Sequence, residues 1–313
     1  YSQHLSQQSV QYFVRSLCEV SMLEINSIRS MYHTSNTKAG GGNNSNGGPI
    51  GSGGHGGGGD VPRVFSLQKL VEVADFNMTV RSRIAWSQMW EVLATHFTSV
   101  GSCENISLAM FAIDSLKQLS VKFLMKPELS NFNFQALFLK PFEVILRRAK
   151  EETIKDLILG CIDNMVLACA KNIRSGWRTI FAILEVAATT HEDGDNSKNV
   201  IVGFDMLQRL VENNFELLVY DFVALMNCLV TFATSSNTSI ALQALHHISI
   251  CAGNLASGKV NTALGKQHNA SEAMQFGWSQ RKEKRALSIS VVGGEGKGGE
   301  MTAGAGAGCT PAS

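Results

Sequence analysis

The chain has 313 residues, a formal net charge of +1 and 17% charged residues, so no global field points to nucleic acid or to a strongly acidic partner. Its seven cysteines (Cys18, Cys103, Cys161, Cys169, Cys228, Cys251, Cys309) are odd in number and scattered, which excludes a disulfide framework and reads as reduced core thiols of a cytosolic protein. No basic segment followed by an apolar one opens the chain, and Glu216 and Asp221 interrupt its richest apolar run, so neither secretion nor a membrane span is expected.

Residue 1 is Tyr and not Met, the start expected of a piece of a longer protein. Residues 1–38 contain one amphipathic helix, with Val10, Phe13, Val14 and Leu17 at helical spacing from about Ser9 to Ile28. Residues 39–61 hold 12 of the 29 glycines and are expected to be a disordered Gly/Asn/Ser linker, because such a composition buries no core. Residues 62–257 carry a nearly continuous helical signal. A short helix near Ser66 to Phe76 is followed by one from about Arg81 to Val100, with Ile84, Trp86, Trp90, Leu93, Phe97 and Val100 on its inner face and Gly101 as its stop.

Asn105 opens the next helix, which carries Ala109, Met110, Ile113, Leu116 and Phe123 inward and ends before Pro127. Phe134 to Lys150 predicts a helix kinked at Pro141, with Leu137, Phe138, Phe142, Ile145 and Leu146 facing in. The strictest period in the chain runs Ile154, Leu157, Ile158, Cys161, Ile162, Met165, Val166, Cys169, a series that only a helix places on one face. Further helices are expected at Trp177 to Thr190, Asn199 to Asn213, Phe215 to Ala233 and Thr238 to Leu255. Antiparallel helices pairing every 40 to 50 residues or so predict an all-α fold, a HEAT or armadillo type of α-solenoid. Beyond Gly258 the periodicity collapses, and residues 258–313 are expected to be a disordered tail with a basic cluster, Arg281, Lys282, Lys284 and Arg285.

Chemistry-bearing motifs mostly dissolve on inspection. Gly51, Gly53 and Gly56 match G-x-G-x-x-G only because the tract is glycine-rich. Gly253 to Lys259 matches G-x-x-x-x-G-K but follows a helix, and Val260 stands where a phosphate loop needs Ser or Thr; Gly253 and Gly258 read instead as helix-end residues. Asp193, Asp195 and Ser197 resemble the start of a calcium loop, yet Lys198 replaces its glycine and Phe204 its closing glutamate. His246 and His247 are adjacent and point about 100° apart on a helix, so they cannot share a metal. No catalytic constellation, metal site or cofactor is expected. The exception is Asn172 to Trp177 (NIRSGW), between two strong helices. Gly176 reads as a C-cap and Trp177 as an anchor between repeats, with Asn172, Arg174 and Ser175 as partner-facing groups, the last two as exposed donors on a rigid turn.

The blocks PRVFSLQKLVEVADFNM (62–78), WSQMWEVLATHF (86–97), AMFAIDSLKQLSVKFLMKPELSNFNFQ (109–135), FLKPFE (138–143), IKDLILGCIDNMV (154–166) and NIRSGWRTIF (172–181) resemble the helical module just downstream of the exchange domain in the large brefeldin-A-inhibited Arf exchange factors. FDMLQRLVENNF and residues 227–251 resemble it more weakly, and Val10 to Ile25 is similar to the helix preceding it. The resemblance implies a cytoplasmic protein, peripheral on trans-Golgi membranes, whose module serves autoinhibition, membrane recruitment and partner binding. The implied partners are an Arf-family small GTPase and the upstream domains of the same exchange factor, with no nucleic acid. Exchange in that family belongs to an upstream domain with a signature resembling F-R-L-P-G-E-A-Q, which is absent here, so no enzymatic activity of this chain is implied. The alternative is a generic helical-repeat scaffold or transport adaptor with no link to Arf.

Overall fold

The computed structural model describes residues 4–38, 64–128, 132–189 and 198–261. The glycine-rich linker, the acidic turn holding Asp193, Asp195 and Ser197, and the tail with its basic cluster lie outside the described residues.

Among the described residues all regular structure is helical: α1 (Gln7–Lys38), α2 (Phe65–Val80), α3 (Arg83–Gly101), α4 (Ile106–Leu124), α5 (Phe134–Arg148), α6 (Glu152–Cys169), α7 (Gly176–Thr189), α8 (Lys198–Leu218), α9 (Phe222–Ala233) and α10 (Thr238–Ala256). Several starts are capped by a side chain, the one at Asn105 where the sequence suggests it. Ser82 Oγ accepts from Ala85 N at 3.3 Å, Asn105 Oδ1 from Leu108 N at 3.1 Å, and Asn237 Oδ1 from Ser239 N and Ile240 N. Each satisfies donors that the first helical turn leaves unpaired.

The helices stack in two layers. α1, α3, α5, α7 and α9 pack in succession in one, and α2, α4, α6, α8 and α10 in the other. Contacts between neighbouring repeats recur at near-constant separation. Lys122 meets Asp75 at 2.6 Å across 47 residues, Lys126 donates to the Met78 carbonyl across 48, Asn199 to Glu152 across 47, and Arg209 to Asp163 across 46. This is the all-α, solenoid-like architecture read from the sequence.

One aromatic cluster fixes the junction of α3, α4 and α5. Trp90 stacks on Phe138 with centroids 3.9 Å apart, and Phe123 stacks on Phe138 at 4.6 Å. Trp86 lies over Trp90 at 5.3 Å and donates its indole N–H to the Ala74 carbonyl at 3.1 Å. Gly101, expected as a stop, has a packing reason as well: a Cβ there would sit 2.5 Å from Cδ1 of Ile145, so α3 and α5 approach closely at this end.

Some expected inward positions face out. Ile84, Met110 and Leu137 are 63%, 38% and 65% exposed, because each lies more than a quarter turn from the centre of its helix's buried face at about 100° per residue. α5 runs unbroken through Pro141. The carbonyl that loses its N–H partner is that of Leu137, an exposed position where water can replace it. Asn214 (φ −131°, ψ 20°) is non-helical inside α8, which explains why the periodicity divides there. That break and a 3₁₀ turn at Val219–Asp221 also interrupt Lys198–Ala233, which passes as a membrane span by length and composition alone. Gly253 lies within α10, not at its end, whereas Gly258 adopts φ +74° and closes it. Order continues past that glycine: residues 259–261 are helical, and Val260 is buried against Val219.

At the α1–α3 joint, buried His96 Nε2 lies 3.1 Å from Ser21 Oγ, in a groove also lined by Arg15, Glu19 and Glu91. Burial pushes its pKa from 6.5 down to about 4. The folded state therefore holds the neutral ring, and the unfolded chain binds the extra proton between those two values. The stabilisation is complete above pH 6.5 and is lost as pH falls towards 4. Chemical denaturation at pH 7 and pH 5 should differ by about 2 kcal/mol from this group. His96→Gln should flatten that difference; an unchanged difference would assign it to other groups.

Candidate functional site

The α6–α7 turn is built from two neighbouring repeats. α6 ends at Cys169, a 3₁₀ turn spans Ala170–Asn172, Ile173 is buried, and α7 begins at Gly176. The fully buried Gln135 of α5 reaches across the gap: its Nε2 donates to the Asn172 carbonyl at 2.9 Å, and its Oε1 accepts from Arg174 N at 2.8 Å and Gly176 N at 3.4 Å. Glu128, in the α4–α5 connection, accepts from Ser175 N at 2.9 Å, Ser175 Oγ at 2.5 Å and Gln135 N at 3.0 Å. Ala136 N donates to Ser175 Oγ, and Thr179 Oγ1 donates to the Ala136 carbonyl. A carboxylate and a carboxamide thus pair the backbone groups of a non-repetitive segment that no helix ladder could satisfy.

This geometry sorts the candidate residues. Trp177 is 0% exposed and stacks along α7 on Phe181. Ser175 is not the exposed donor expected: it is 5% exposed and its hydroxyl is committed to Glu128, because the neighbouring loop folds over it. Gly176 is not a C-cap but the first residue of α7; a Cβ there would stand 3.2–3.3 Å from Ile173, Gln135 and Leu139. The Asn172 amide donates to the Met125 carbonyl at 3.4 Å, so it closes α4. Arg174 differs. It is partly exposed, its backbone N–H is held by Gln135, and its guanidinium has no hydrogen bond or ion pair among the described residues.

Around Arg174 stand groups that the sequence reading did not single out. Tyr220, 41% exposed, lies within electrostatic reach of Arg174, Glu128, Arg178 and Asp221, and burial followed by the Glu128 charge pushes its phenol pKa up. Arg178 is exposed and pairs with Asp221 at 2.9 Å. Glu128 and Gln135 escaped notice because their partners in the α6–α7 turn lie 37 to 47 residues away; only the repeat period could have linked them to it. Among the described residues no group of three or more His, Cys, Asp or Glu is placed to hold a metal. The buried thiols of Cys18, Cys161 and Cys251 have pKa values pushed to between about 11 and about 12 by desolvation, so they are inert packing groups.

Residues 122–209 match the family model described as Mon2/Sec7/BIG1-like, HDS. That span runs from the end of α4 into α8 and includes Glu128, Gln135 and the whole NIRSGW turn. The chain belongs to this family and carries its HDS module. It is 36% identical over 269 residues to brefeldin A-inhibited guanine nucleotide-exchange protein 3 of Arabidopsis thaliana, a match covering 84% of this chain and 13% of that protein. Over 192 residues it is 41% identical to brefeldin A-inhibited guanine nucleotide-exchange protein 1 of Rattus norvegicus, covering 61% of this chain and 10% of the relative. The chain therefore spans a small fraction of these relatives' length.

Proposed function

We propose that this chain is a regulatory and docking segment of an Arf guanine nucleotide-exchange factor, working in the cytoplasm and peripherally at trans-Golgi membranes, without exchange activity of its own. Its docking point is Arg174, presented to an Arf-family GTPase or to the exchange factor's own upstream domains. The observation that carries this reading is a partly exposed guanidinium with no partner of its own among the described residues, on a turn that Glu128 and Gln135 hold rigid. Arginine's planar set of donors suits such a role, and holding the backbone in advance lowers the ordering cost of binding. The kinship with exchange proteins of the brefeldin-A-inhibited type supports the choice of partners.

Arg174→Ala should change stability by no more than about 0.5 kcal/mol, as substitutions without buried partners do. It should weaken capture of GTP-loaded Arf, or of a purified upstream fragment, at least tenfold. Thermal melts paired with titration binding decide the matter. A large loss of stability would make Arg174 a packing residue, and unchanged binding would remove the assignment.

A further inference from the structure

A second surface lies in the layer of odd-numbered helices. Between α3 and α5 runs an open groove of about 640 Å³, with Trp90, Phe134 and Pro141 in its floor and Leu137 and Val144 along one side. Leu137 is 65% exposed, so this wall presents apolar area that the stack itself leaves uncovered. The groove is bounded by Ser87 to Ser99 on α3 and Phe134 to Arg148 on α5. At 1.5 Å per residue each wall is about 20 Å long, the length of three to four helical turns.

The chemistry of the walls selects an occupant. Both are α-helices whose main-chain groups are paired internally, so an incoming extended strand would find no backbone partners and would lose its own hydration. A helix carries its hydrogen bonds with it. The α3 wall is made of small or neutral side chains such as Ser87, Ala94 and Thr98, with Glu91 its single charge, which allows close helix approach. The α5 wall carries exposed Lys140 and Arg148, with Lys140 held at 2.6 Å by the one nearby carboxylate of this helix, Glu143, which is 5% exposed. Its excess of charge is positive, and Arg148 makes no ion pair among the described residues.

We propose that this groove receives an amphipathic helix from a partner protein, its apolar ridge against Phe134, Leu137 and Val144 and its carboxylates along Lys140 and Arg148. None of residues 172–177 lines the groove.

The probe is a fluorescent, lactam-bridged peptide of 14 residues with leucines at i, i+4 and i+7 and glutamates along one flank, titrated with the full chain by anisotropy. A control peptide carries lysines in place of the glutamates. The acidic peptide should bind saturably and at least tenfold more tightly than the lysine peptide. Leu137→Asp, at an exposed position that leaves folding intact by circular dichroism, should weaken it at least tenfold. The double variant Lys140→Glu with Arg148→Glu should reverse the preference between the two peptides. Arg174→Ala should leave all of this unchanged, which separates failure here from failure at the turn. Absence of saturable binding, equal binding of both peptides, or indifference to Leu137→Asp would overturn the proposal. So would a self-association in sedimentation equilibrium that Leu137→Asp abolishes, since the groove would then be an interface between copies.

Discussion

Replacing Trp177 by alanine is expected to destabilise the chain by about 3–5 kcal/mol, the usual cost of emptying a site filled by a large buried aromatic. The side chain is 0% exposed at the first turn of α7, a helix that packs on α5, α8 and α9. A void there loosens several interfaces together, and a stack whose repeats contact only their neighbours has no distant element to compensate. The indole N–H has no hydrogen-bond partner among the described residues, so Trp177→Phe forfeits packing but no hydrogen bond and should cost less than half as much. Urea melts of the three proteins provide the comparison. A loss under about 1 kcal/mol for Trp177→Ala, the range of ordinary substitutions, would show that α7 is not anchored through this residue.

The second large effect is expected at Glu128. Its carboxylate accepts from two backbone amides, Gln135 N and Ser175 N, and from the Ser175 hydroxyl. Glu128→Ala leaves those donors without a partner where the neighbouring turn excludes most water, and the expected loss is about 3 kcal/mol. Glu128→Gln keeps one acceptor oxygen and should recover part of it. Amide exchange at Ser175 and Gln135 should quicken selectively in the alanine variant while the α6 amides Ile158 to Val166 stay protected. Uniform acceleration, or none, would mean that Glu128 does not pin the turn. Because the turn presents Arg174, Glu128→Ala should also weaken partner binding without touching the guanidinium itself.

The contrast between these two residues shows what the sequence could and could not disclose. The burial of Trp177 was legible because a large aromatic starts a strongly periodic helix, and α6 was legible because its apolar spacing admits one geometry. Glu128 was not, since a glutamate in a loop looks solvated until the repeat 47 residues away folds against it. For the same reason Ser175 read as an exposed donor. Local pattern gives the face of a helix but not what the next repeat lays over a turn. Gly176 misled in a related way: glycine beside a helix end suggests a left-handed cap, whereas here the need is room beside Ile173, Gln135 and Leu139. Ile84 and Leu137 were placed inward on hydrophobicity alone, though their angular positions put them outside. Leu137 thereby helps form the groove wall that no motif announced.

That this chain docks and does not catalyse exchange is tested most directly by release of a fluorescent guanine nucleotide from purified Arf. With the chain alone added up to saturation of its binding, the account predicts the spontaneous release rate. Saturable acceleration that persists through further purification would contradict it and place exchange activity within these helices.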